Sequence, residues 1–77
     1  MTINELGTKL DEMYHGAPKG AAVAMIDLFG IKYAEEIKKS KFNKKQIAKA
    51  AKVPESFATE ISKGVKLSEF VIVKDNI

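Results

Sequence analysis

What constrains this chain most is that it contains no cysteine. Its 77 residues fit one small domain, and chains this short bury only about 60–65% of the surface they expose when unfolded. With no Cys and a single His, His15, there is no disulfide framework, no thiol nucleophile and no Cys/His zinc set. The core must hold by packing alone, so the apolar pattern decides the fold. The longest uncharged run, residues 20–26, is seven residues, three of them Ala, far short of the roughly 20 that span a bilayer. Residues 1–10 carry Glu5 and Lys9 where a secretory signal needs an unbroken apolar stretch. The expectation is a cytoplasmic single domain over residues 1–77, without a metal, a cofactor or a membrane partner.

The periodicity is helical. Thr2 with Glu5 has the spacing of a capping box, and Ile3, Leu6, Leu10, Met13 and Tyr14 recur at steps that share one face, which predicts a first helix over residues 2–14. Gly7 weakens that helix by up to about 1 kcal/mol relative to Ala. Gly16 is placed to close it, and Pro18 cannot continue it. Ala22, Ile26, Phe29, Tyr33 and Ile37 then follow at steps of 4, 3, 4 and 4, which predicts one helix over residues 20–39. The competing reading makes residues 23–28 a strand, with a helix from Gly30; in the helical reading Gly30 permits a close crossing.

Asn43 and Gln46 repeat the capping-box spacing and predict a third helix that stops by Lys52 or Val53, ahead of Pro54. A fourth starts near Pro54, buries Phe57, Ala58, Ile61 and Val65, and ends at Gly64 as a left-handed cap. Residues 67–74 are β-prone through Phe70, Val71, Ile72 and Val73, with Asp75 and Asn76 closing the run. A strand there must pair with residues 21–26, with residues 65–67 or with a second subunit. The expected fold is therefore mainly α, about four helices with a helix-turn-helix at 43–64 and a short C-terminal β segment, winged-helix-like.

The net charge of +3 conceals a sharper pattern. All 13 basic residues are Lys, and residues 38–52 hold seven of them with no acid, whereas residues 1–37 carry a net −3 and residues 53–77 a net −1. Lys38, Lys39, Lys41, Lys44, Lys45, Lys49 and Lys52 form one positive block. Such a block attracts a polyanion through phosphate neutralisation and counterion release, although a Lys-rich segment also serves simply as a solvated face.

Residues 46–61, QIAKAAKVPESFATEI, resemble the helix-turn-helix of bacterial transcriptional repressors. In that motif a small residue lets the second helix cross closely, an apolar residue follows the turn and two more fix the angle; Ala48, Val53, Ala58 and Ile61 stand at these places. Lys52 occupies the turn position that the motif usually gives to Gly. Residues 28–37 and 64–71 are similar to small bacterial helix-turn-helix-like domains, a resemblance that brings no activity with it. It implies four helices and a short strand, standing alone or at the start of a larger bacterial protein.

The resemblance implies non-catalytic binding of double-stranded DNA, in transcriptional regulation or DNA targeting. Asn43, Lys44, Lys45, Gln46 and Lys49 would then meet phosphates and position the duplex. Glu55, Ser56, Thr59, Glu60 and Lys63 would face the major groove, with Lys66 near the backbone beyond. There is no Arg for the common bidentate contact to guanine. Glu55 and Glu60 oppose the phosphate field, each by about 1 kcal/mol at close approach. The alternative is a helical corner that never meets nucleic acid, in a protein-interaction or dimerisation module that docks a partner or a second copy through the fourth helix or the C-terminal strand. Catalysis is not expected. Glu35-Glu36 and Asp11-Glu12 are adjacent pairs that diverge on a helix, and His15 suits a helix end, where it stabilises the terminal carbonyls. No exposed aromatic platform for single-stranded bases stands out.

Overall fold

The computed structural model describes residues 1–74. Five α-helices follow one another: α1 (Ile3–His15), α2 (Ala22–Lys32), α3 (Ala34–Lys39), α4 (Lys44–Ala50) and α5 (Ala58–Leu67), with a 3-10 turn, Glu55–Phe57, ahead of α5. The predicted capping box starts α1. The Thr2 N–H donates to Glu5 Oε1 at 2.8 Å, and the Glu5 N–H to Thr2 Oγ1 at 3.1 Å. Donation from the Thr2 N–H, with the Thr2 side chain second, holds the Glu5 carboxyl below its ordinary range. At the other end the His15 ring nitrogen pairs with Asp11 at 2.5 Å, the Gly16 N–H donates to the Glu12 carbonyl, and the Ala17 N–H donates to that of Tyr14.

The apolar stripes meet as the periodicity requires. Leu6 and Leu10 of α1, Ile26 and Phe29 of α2, Ile37 of α3, Ile47, Ala48 and Ala51 of α4 and its cap, and Ile61 and Val65 of α5 form one buried cluster. Tyr14 and Phe57 bring the end of α1 against the 3-10 turn, with ring centroids 5.8 Å apart. Helix α1 packs on α2 and α4, while the most extensive contact joins α2 to α5.

Three expectations need correction. The stretch over residues 20–39 is helical and not a strand at 23–28, but it bends at Tyr33 (φ −107°, ψ 21°) into α2 and α3. The Tyr33 N–H still reaches Phe29 and the Ile37 N–H reaches Tyr33, so the bend redirects the helix toward α5 without exposing its backbone. Gly64 does not end the last helix. It lies inside α5, which runs on to Leu67 because Gly64 is buried against Gly30.

The largest correction is the C-terminal β segment. Among the described residues there is no strand, and hence no wing. After α5 the chain makes one more turn, with the Phe70 and Val71 N–H groups both donating to the Leu67 carbonyl, and residues 71–74 are irregular. A strand needs an edge to pair with. Both candidates in this chain are helical: residues 21–26 are the cap and first turns of α2, and residues 65–67 end α5. Phe70 and Ile72 stay 77% and 91% exposed. The expected closure at Asp75 and Asn76 lies outside the described residues.

Candidate nucleic-acid interface

Helix α4 is only seven residues long, too short to hold by propensity, and its ends are tied by side chain and turn. The Gln46 N–H donates to Asn43 Oδ1 at 2.8 Å, and the Asn43 N–H to Gln46 Oε1 at 2.9 Å. Both side chains assigned to phosphate thus spend an oxygen on capping. Their amide NH2 groups are not used in that capping box.

At the other end the Lys52 N–H donates to Lys49 O at 3.1 Å, and the Val53 N–H to Ala48 O at 3.0 Å. These two bonds are the Schellman pattern, which places the residue after the cap in the left-handed region. That residue is Lys52, with φ +63°. The turn geometry usually associated with Gly is therefore kept by a lysine, at a backbone cost of roughly 1–2 kcal/mol. Val53, next in the chain, is buried and completes the motif with its apolar contact.

Beyond Pro54 the 3-10 turn leads into α5, and the position of α5 is set by two glycines. A Cβ on Gly30 would lie 2.6 Å from the Ile61 carbonyl oxygen and 2.9 Å from Gly64 Cα; one on Gly64 would overlap the Asp27 carbonyl. Backbone touches backbone at this crossing, so α5 has no freedom to slide along α2. On the α4 side, which also packs against α5, Ala48 and Ala51 are both fully buried.

Locked in this way, α5 turns Thr59, Ser62, Lys63 and Lys66 outward, at steps of three, one and three that put them on one stripe. Glu55 and Ser56 are exposed in the turn that precedes it. Ser62 escaped the sequence reading, although its step of three from Thr59 is the signal that could have found it. Glu60 points elsewhere: it is half-buried, its Oε1 is 3.0 Å from Lys63 Nζ, and Asp27 of α2 stands beside it. Burial, and then the Glu60 charge, push the Asp27 carboxyl up, while Asp27 Oδ1 is buried without a hydrogen-bond partner. The ion pair with Glu60 raises Lys63 in turn.

The lysine block is divided by the fold. Lys38 and Lys39 end α3 and Lys41 lies in the connection, whereas Lys44, Lys45 and Lys49 belong to α4 and Lys52 to the turn. Lys45, Lys49 and Lys52 are exposed, Lys45 and Lys49 on one edge of α4 at a step of four, and Lys44 is half-buried. Among the described residues no carboxylate pairs with any lysine of the block. No group of His, Cys, Asp and Glu among them could hold a metal ion, and no helix is long and apolar enough to cross a membrane.

The profile of a family described as an HTH-like domain matches residues 2–74, a span that takes in all five helices. No curated protein and no solved structure matches the chain.

Proposed function

The chain belongs to the HTH-like domain family, and on that premise we propose that it is a non-catalytic, cytoplasmic module that binds double-stranded DNA. Lys44, Lys45 and Lys49 neutralise phosphates. Asn43 and Gln46 offer their remaining amide donors beside them, and α5 faces the major groove with Ser56, Thr59, Ser62, Lys63 and Lys66. Glu60 holds Lys63 by an ion pair, so part of the carboxylate charge on α5 is neutralised before DNA arrives. The likeness of residues 46–61 to bacterial repressors supports transcriptional regulation or DNA targeting in a bacterium as the setting.

The observation that carries the reading is the unpaired exposed lysine edge of α4, in the first helix of a helix-turn-helix corner. Unpaired cations concentrated on one edge favour a polyanion, because each phosphate they neutralise releases condensed counterions. With three such contacts the logarithm of the binding constant should fall with the logarithm of salt at a slope of about −3. The test is an amide chemical-shift titration with a mixed-sequence duplex at low and then physiological salt. Shifts confined to residues 43–66 that weaken with salt are expected. The combined change Lys44→Glu, Lys45→Glu and Lys49→Glu should abolish them in a protein that remains folded. An unmoved spectrum, a salt-indifferent isotherm or survival of binding after that reversal would overturn the reading.

A further inference from the structure

Lys52 is the one non-glycine residue with positive φ among the described residues. Its backbone closes α4 through the bonds from Lys52 to Lys49 and from Val53 to Ala48, and glycine would make both without the steric conflict between Cβ and carbonyl. The side chain offers no internal compensation. It is exposed, and among the described residues it meets no carboxylate and no aromatic ring. A cation is favourable near a helix C-terminus, but Lys49 already supplies one in the last turn of α4. A strained residue that the fold does not need points to a use outside the fold.

Its neighbours indicate which use. Lys45 and Lys49, a step of four apart, share one exposed edge of α4, and Lys52 follows at its C-terminal end, in the turn that leads toward α5. We propose that Lys52 is a phosphate-binding residue, and that lysine stands at this left-handed position because its ammonium meets the DNA backbone beside the N-terminal end of α5. The inference rests on the DNA reading above and adds a contact at the corner itself, where a phosphate grip sets how α5 enters the groove.

Strain and contact predict opposite signs for one substitution. In the full chain, Lys52→Gly should melt at a higher temperature than the parent yet bind a mixed-sequence duplex about fivefold more weakly at 0.15 M salt, with a salt slope shallower by about one. Lys52→Arg, which keeps the charge, should keep the parent's slope. Fluorescence anisotropy across a salt series, with thermal melting of the same samples, reads all of these quantities. If the parent binds with the expected salt dependence and Lys52→Gly binds identically, the Lys52 contact is refuted while the DNA reading stands. A Lys52→Gly protein that melts lower than the parent removes the strain premise and refutes it as well. A parent that shows no salt-dependent binding overturns the DNA reading, and this inference falls with it.

Discussion

Replacing Gly30 with alanine should unsettle the fold at the contact that orients α5. The new methyl carbon would stand 2.6 Å from the Ile61 carbonyl oxygen and 2.9 Å from both Gly64 Cα and Val65 N. All three are backbone atoms, so no rotamer change relieves the overlap. To restore ordinary contact at about 3.5 Å, α2 and α5 must part by roughly 1 Å. That loosens the most extensive helix pair of the protein, whose buried side chains include Ile26, Phe29, Ile61 and Val65. Overpacking of this kind costs about 1–3 kcal/mol, and exchanging glycine for alanine inside a helix returns about 1 kcal/mol. The larger figure applies here because the conflict is with backbone, which leaves a net loss of about 1–2 kcal/mol. For a chain of this size the melting temperature should fall by about 5–15 °C. Circular dichroism at 222 nm through a thermal scan measures it. Gly64→Ala, whose methyl would overlap the Asp27 carbonyl, should behave in the same way, and the double variant should lose less than the sum because the helices part only once. If Gly30→Ala melts at or above the parent temperature, the close crossing does not set the position of α5 and the reasoning fails.

Two further outcomes follow from the polar groups. Burial and the Glu60 charge hold the Asp27 carboxyl above its ordinary 3.8, so as pH falls through that raised value the folded protein binds a proton that the unfolded chain does not yet bind. Stability contributed by Asp27 therefore rises on acidification and is complete below 3.8; Asp27→Asn should be the more stable protein at pH 7 and lose this rise, and a parent-minus-variant difference in melting temperature that stays flat from pH 7 to pH 4 would refute it. Asn43→Ala removes the capping box of α4 and should lower stability by about 1 kcal/mol. An unchanged urea midpoint would count against the role of the cap.

Much of the candidate interface was legible because its signals are local. The capping pair Asn43 and Gln46, the stop before Pro54, the lysine block, and the small and apolar residues Ala48, Val53, Ala58 and Ile61 all lie within about 20 positions, and helical geometry alone relates them. Less legible were the roles that depend on a neighbour distant in sequence. Glu60 reads as an exposed groove contact until Asp27 is found beside it, 33 positions earlier. Gly64, after Lys63, has the sequence signature of a helix cap, yet it is a packing residue because Gly30 meets it. Gly7 weakens α1 by propensity, but its buried position against Ala50 leaves no room for a methyl group.

The sequence by itself determined that the chain is mainly helical, where α1 and α4 begin and which faces turn inward, since capping and a period of 3.6 are properties of short stretches of chain. It also determined that seven lysines stand without an acid within 15 residues, while the fold divided them between the end of α3, the connection, α4 and the turn. Tertiary structure alone decided the bend at Tyr33, the crossing of α2 and α5, and the left-handed backbone at Lys52. It also decided the fate of residues 67–74, whose β-prone side chains remain without a strand among the described residues. A helix satisfies its own hydrogen bonds, so local pattern suffices to form it. A strand is completed only by a partner, and with residues 22–32 in α2 and residues 65–67 in α5 neither in-chain candidate is extended.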